Sequence, residues 1–399
     1  GPATPSAEQY PPAPASEAEL PPAMLEGHVP SYYHPHASGR RDSHVNVPRR
    51  TLRSLERFGV DRCKQPRPDL PREGPLMVVV SPNSMHAVLV TGGNVDIFDP
   101  VGACLSRHRD KWLTGISRWS VLAADVVATN DEVFIDGDPF SWTLEYHKDQ
   151  LPLGSYSALA RDYTKYDFVV AFNAPGFSTH RQSSPPSANL ESGQRWRTGK
   201  THFHAYAPVT NASPRSLGAI GADWSVVLVL GEKTVKVYAP EADAQGVATV
   251  VATRVLPRPV EWLSLAEPGI VLLETRDRGT YLTALNRKAV PQFFVDVPFP
   301  AYQPAISGEK GRLYVAGRGL AAIDHGKLTW FHDYDENTYA SSFDDGSLAV
   351  ARSNRLELMT PDGNVAQSFE TDAPLVTAPA IAADGSVWVA SNQAMYWAH

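Results

Sequence analysis

Toward its C-terminal end the chain repeats one pattern three times, and that pattern leaves few folds open. PAISGEKGRLYVAGRGLAAID begins at Pro304, SSFDDGSLAVARSNRLELMT at Ser341 and PAIAADGSVWVASNQAMYWAH at Pro379. Each copy holds a glycine followed by alternating apolar residues that end in Val-Ala: Gly311 to Ala316, Gly346 to Ala351, Gly385 to Ala390. Alternation at a period of two is the signature of a strand with one buried face, and a glycine ahead of it marks a tight turn. Weaker copies lie upstream, in AIGADWSVVLVLGEKTVKVYA from Ala219 and LSLAEPGIVLLETRDRGTYLTAL from Leu263. The spacing of the copies, about 35 to 45 residues, is the length of one four-stranded unit.

Units of that length bury their faces by stacking side by side in a ring, so the expected fold is all-β, a β-propeller. Roughly 42 to 46 residues per blade over positions 76–399 gives seven blades, with eight as the alternative. The last copy has sequence for only three strands. A half-finished sheet leaves an open edge, so a strand from the N-terminal part, before or around Val78, is expected to complete it. Val78 to Val80, His86 to Val90 and Val95 to Phe98 read as the first strands of the ring.

Ahead of the ring, residues 1–48 are rich in Pro, Ala, Ser and Glu and low in aliphatics. Such a segment cannot bury enough apolar area to offset its ordering entropy and reads as a disordered arm. Residues 49–75 follow as a lead-in. There Leu52, Leu55 and Phe58 recur every third position between Thr51 and Gly59, which predicts a short basic helix lying on the ring. Gly1-Pro2 is what a protease leaves at a cleaved N-terminus. No stretch approaches the ~18 apolar residues of a membrane span.

Thirty-four prolines and 28 glycines among 399 residues suit short strands and many turns. The net charge of −7 argues against nucleic acid as a partner, since phosphate binding needs a surplus of Lys and Arg. Cys63 and Cys104 form no CxxC pair. Two readings stay open for them: buried thiols, or a disulfide pinning the lead-in to a turn of the first blade in an oxidising compartment.

GRLYVAGRGLAAIDHGKLTW, ending at Trp330, and DGSVWVASNQAMYW resemble the PQQ-type propeller repeat. The resemblance is clear over about residues 300 to 399 and fades upstream. It implies strand packing with a tryptophan between blades. Such repeats occur in quinone-dependent dehydrogenases and in non-enzymatic envelope lipoproteins. The dehydrogenases carry neighbouring cysteines and an acidic calcium site in a longer chain, features that Cys63 and Cys104 do not supply. The resemblance therefore implies a non-catalytic envelope or secreted protein without cofactor, tethered through lipid in its native form, with another protein as partner.

Few motifs carry chemistry. GxSxG, HExxH, P-loop and GxGxxG patterns are absent from the sequence, so no catalytic residue is named. Phe177 to His204 breaks the repeat and gathers Arg181, Arg195, Trp196, Arg197 and Lys200, a loop composition suited to an anionic or carbohydrate surface. His202 and His204 share one strand face but lack a third metal ligand nearby. HDYDENTY places Asp333, Asp335 and Asn337 at alternate positions yet lacks the rest of a calcium loop, and reads as an acidic turn. Asn211-Ala212-Ser213 is a lone glycosylation sequon. The leading expectation is a protein-binding scaffold. Its rivals are a hydrolase or lyase with a site dispersed over the central channel, and a glycan-binding propeller.

Overall fold

The computed structural model describes the backbone of residues 48–59, of the strands named below between residues 37 and 220, and of 226–242, 248–266, 269–276, 278–382 and 384–399. Side chains are described for 48–59, Val78 and most positions from 227 onward. Regular structure among these residues is strand, apart from one 3-10 turn at Glu309–Gly311.

Two short strands come first, β1 (Ala37–Ser38) and β2 (Leu55–Gly59). The first sheet is the antiparallel array β3 (Pro75–Val80), β4 (Ala87–Thr91), β5 (Val95–Phe98) and β6 (Cys104–His108). The second is β7 (Ser120–Leu122), β8 (Val126–Ala128), β9 (Glu132–Ile135) and β10 (Asp138–Thr143). The third is β11 (Tyr156–Ala158), β12 (Phe168–Asn173), β13 (Gly176–Gln182) and β14 (Arg197–Pro208). The fourth is β15 (Leu217–Ile220), β16 (Val226–Leu230), β17 (Thr234–Ala242) and β18 (Ala248–Val255), and the fifth is β19 (Val260–Ala266), β20 (Gly269–Arg276), β21 (Gly279–Leu285) and β22 (Pro291–Val297). The sixth is β23 (Ile306–Ser307), β24 (Leu313–Ala316), β25 (Gly319–Asp324) and β26 (Lys327–Asp333), and the seventh is β27 (Thr338–Ser342), β28 (Leu348–Arg352), β29 (Arg355–Met359) and β30 (Val365–Glu370). The eighth is β31 (Ala380–Ile381), β32 (Val387–Ala390) and β33 (Ala394–Ala398), with β2 as its outer strand.

The architecture is a β-propeller. Among the described residues there are eight such sheets of four strands each, the second and third joined edge to edge where β10 and β14 pair in parallel, and β1 added at the edge of the fourth. Neighbouring arrays bury their faces in shared apolar clusters. Val227, Val237, Leu263 and Leu272 join the fourth and fifth, and Val271, Leu282, Leu313 and Val315 join the fifth and sixth. Tyr314, Leu320, Val350 and Met359 join the sixth and seventh, and Leu356, Leu358, Val389 and Tyr396 join the seventh and eighth. First and last sheets also meet, through Val78 against Phe58, Trp388 and Met395.

Leu55–Gly59 corrects the helix expected there. The segment is a strand, paired antiparallel with Ala398 down to Ala394. Spacing at every third position is met equally by a strand that buries Phe58 and a lead-in that buries Leu52. What decides is the open edge of β33, a ladder of backbone groups more than 300 residues away in sequence that a helix would leave unpaired. The arm is likewise not wholly irregular, since Ala37–Ser38 lies parallel to Gly218–Ala219. Cys104 opens strand β6 rather than sitting in a turn, and Cys63 lies outside the described residues.

The repeat glycines explain themselves. Gly311, Gly346 and Gly385 have φ of 77°, 77° and 81°, the left-handed region that a side chain resists, and each precedes the second strand of its sheet. At that same end of the molecule, Trp330 donates from Nε1 to the Pro361 carbonyl (3.0 Å), and Arg312 Nη1 donates there as well (2.7 Å). Arg312 also holds Asp324 through Nε and Nη2, both at 2.7 Å. Thus the tryptophan of the repeat ties the sixth sheet to a turn of the seventh.

Candidate functional site

The opposite end carries the turns between second and third strands and the connections from sheet to sheet. Here polar side chains interrupt the apolar inter-sheet clusters.

Between the sixth and seventh sheets stands a closed ion pair. Arg352 ends β28, and its Nε and Nη2 donate to Glu357 Oε2 and Oε1 on β29, both at 2.9 Å. Glu357 is buried at 3 % side-chain exposure. The guanidinium lies 4.3 Å from the ring centre of Tyr334, in the connection before β27. Burial lowers the Arg352 pKa, but the hydrogen bonds and charge of Glu357 outweigh it and leave a net rise. Burial likewise pushes the Tyr334 hydroxyl up to about 12.

Beside this pair opens a groove of about 330 Å³, lined by Glu336, Arg352, Ser353, Asn354, Arg355, Glu370 and Thr371. The two-residue turn Ser353-Asn354 forms its wall, with Ser353 at φ 44°. Both turn carbonyls are held: Ser353 accepts from Leu375 N–H and Asn354 from Thr371 N–H, each at 2.8 Å. The wall is therefore fixed to the connection leading to the eighth sheet. Arg355 and Glu370 face each other across β29 and β30 and are exposed, as is Glu336. Every lining residue is polar, so the groove suits a polar or charged surface rather than an apolar small molecule.

Between the fourth and fifth sheets the same residue types form a different arrangement. Glu274 on β20 is fully buried and sits opposite Tyr281 on β21. Thr283 Oγ1 donates to Glu274 Oε1 at 3.0 Å, and Oε2 has no hydrogen-bond partner among the described residues. Arg276, two residues on and on the same sheet face, lies 4.3 Å from the Tyr281 ring centre and pairs through Nη1 with Asp296 on β22. Arg258, from the connection before β19, lies 5.4 Å from the same ring. Loss of hydration on burial pushes the Glu274 carboxyl up to about 7. The Thr283 hydrogen bond and the charges of Arg258 and Arg276 pull it only partly back.

The sequence-based candidates fall elsewhere. Arg181 lies on β13 and Arg197, Lys200, His202 and His204 on β14, so much of the expected loop is paired strand, with Arg181 opposite His202. The repeat is broken there because β14 runs on for 12 residues and pairs with β10 on its other side. Arg195 and Trp196 lie outside the described residues. In the acidic turn, Asp335 N–H donates to Asp333 Oδ1 at 3.3 Å and the Asp335 carboxylate pairs with Arg318. No group of three or more potential metal ligands occurs among the described residues. No helix among them is long and apolar enough to cross a membrane. Sequence reading missed Glu274 and Arg276. Their signal was a pair of charged residues directly after the apolar run from Ile270 to Leu273, on the strand that pairs with Tyr281 to Leu285.

No family model matches this chain, and no curated protein matches it. Among solved structures it is similar to a streptogramin B lyase (11 % identity, 87 % of this chain and 97 % of that one, TM-score 0.48). It is also similar to BamB from Moraxella catarrhalis (12 %, 88 % and 99 %, 0.48). A third is the β-propeller domain of Cps50 (Swd1) from Myceliophteria thermophila (9 %, 83 % and 98 %, 0.44).

Proposed function

We propose that this propeller is a non-catalytic scaffold that binds another protein through the connection end of its sheets, in the cell envelope or outside the cell. The observation that carries the reading is the groove walled by Ser353 and Asn354. It is open, wholly polar and built on a hairpin tied at two carbonyls, so it offers exposed Arg355, Glu370 and Glu336 at fixed positions. A rigid, charged rim of this kind steers and orients a protein partner. Arg181, Arg195, Trp196, Arg197, Lys200, His202 and His204 belong to the same proposal as a second contact region. Lipid tethering and a Cys63–Cys104 disulfide belong to it as well.

A photo-crosslinking residue at Asn354, introduced in the native organism, tests it. The expected result is one polypeptide trapped at Asn354 and absent from the same residue at Val365, on the outer edge of the seventh sheet. The Arg355→Glu charge reversal should weaken capture at least tenfold. Equal trapping at both positions, or capture indifferent to Arg355→Glu, overturns the assignment. Recovery of the protein in the cytosolic fraction would remove the envelope.

A further inference from the structure

A guanidinium binds a carboxylate best along its Nε–Nη2 edge, where two parallel N–H bonds meet both oxygens. Among the described residues the edge is used twice in that way, by Arg312 on Asp324 and by Arg352 on Glu357. Arg276 differs. It meets Asp296 through Nη1, while its Nε and Nη2 are buried and have no hydrogen-bond partner among the described residues. Next to it, the fully buried Glu274 keeps Oε2 equally unpartnered. Buried polar atoms of this kind are rare in a well-packed protein, and three of them belong to two side chains on one strand face. The Arg276 side chain is 24 % exposed and Asp296 is 55 % exposed, so the cluster lies directly beneath the surface at the connection end.

We propose that the Nε–Nη2 edge of Arg276, with the Glu274 carboxyl beside it, is a binding subsite for a carboxylate. In its protonated form Glu274 donates to the incoming oxygen while Arg276 supplies two N–H bonds, so all three buried atoms gain partners. As a carboxylate, Glu274 repels the ligand. The groups facing Glu274 are Arg258 from the preceding connection, Arg276 on its own strand, Tyr281 and Thr283 on β21, and Asp296 on β22. The turn of the fourth sheet packs on the connection that carries Arg258, where the Glu232 and Lys233 carbonyls accept from Val260 and Leu256. With a Glu274 pKa of about 7, the subsite is expected to fill below neutral pH and empty above it. This proposal does not depend on the scaffold reading, since it concerns a different sheet.

The test uses the full chain and follows the side-chain Nε–Hε resonance of Arg276 by NMR during titration with propionate, propionamide and an acidic hexapeptide. Propionate is expected to shift that resonance at pH 6, with affinity falling about tenfold per pH unit above 7. Propionamide should bind at least tenfold more weakly. Glu274→Gln, which imitates the protonated acid, should bind equally at pH 6 and pH 8. Arg276→Lys, which keeps the charge without the fork, should lose at least tenfold. Tighter binding of the peptide than of propionate identifies a protein segment as the source of the carboxylate, and the reverse identifies a small acid. No shift with propionate, equal binding of propionamide, or a wild-type affinity flat in pH overturns the proposal.

Discussion

Two inter-sheet boundaries of this propeller use one set of residue types and reach opposite outcomes. Between the sixth and seventh sheets, Arg352 closes bidentate on Glu357 beneath Tyr334. Between the fourth and fifth, Arg276 lies over Tyr281 but turns outward to Asp296, leaving Glu274 held only by Thr283. The difference follows from strand placement. Arg352 and Glu357 stand on adjacent strands with the two-residue turn between them, so their side chains converge. Glu274 and Arg276 share one strand, side by side, and Asp296 on β22 competes for the guanidinium. One boundary is thereby a sealed joint. The other stores a buried carboxyl with one oxygen unpartnered among the described residues, which is a disposition suited to binding.

The largest expected effect lies at the sealed joint. Arg352→Ala strands the Glu357 charge in a buried site and should cost about 3 to 5 kcal/mol by urea unfolding. Replacing both residues, as Arg352→Met with Glu357→Leu, should restore most of that loss. If the double replacement were as damaging as the single one, the pair would not be what Glu357 requires.

Next in size is the pH response of the open boundary. Glu274 titrates near 7 in the folded chain and in the ordinary carboxylate range, about 4.3, when unfolded. The native state therefore binds the extra proton between those values. Its stabilising share is fully present below the unfolded pKa and is lost as pH rises through 7. The total is at most on the order of 4 kcal/mol. Glu274→Gln should flatten this slope and raise stability at pH 8, read as the urea midpoint across pH 5 to 8. A slope unchanged by the substitution would assign it to other groups.

A smaller effect belongs to the opposite end, where Trp330→Phe removes one hydrogen bond to Pro361 and should cost about 1 kcal/mol. Smallest is Arg318→Ala, which breaks a surface pair with Asp335 and should change stability by less than about 1 kcal/mol.

The sequence made some of this plain and hid the rest for physical reasons. Gly311, Gly346 and Gly385 announced turns because only their backbone accepts those angles, and the alternation after each announced a buried strand. Trp330 was recognisable as an inter-sheet residue because its role lies within one repeat and the next turn. Leu55–Gly59 misled because its pairing partner is the far end of the chain, and local spacing carries no word of that edge. The polar clusters were harder still. Arg276 and Asp296, or Arg352 and Tyr334, are neighbours only once sheets have formed and stacked, and nothing local distinguishes a glutamate paired at both oxygens from one paired at a single oxygen.

The contrast between the boundaries rests on the ionisation of one side chain. A carbon-13 titration of the Glu274 carboxyl in the folded protein measures it directly. The midpoint should fall near pH 7. A midpoint near 4.3, the value of an ordinary exposed glutamate, would mean that Glu274 is solvated or firmly paired, and the open boundary would be no different from the sealed one.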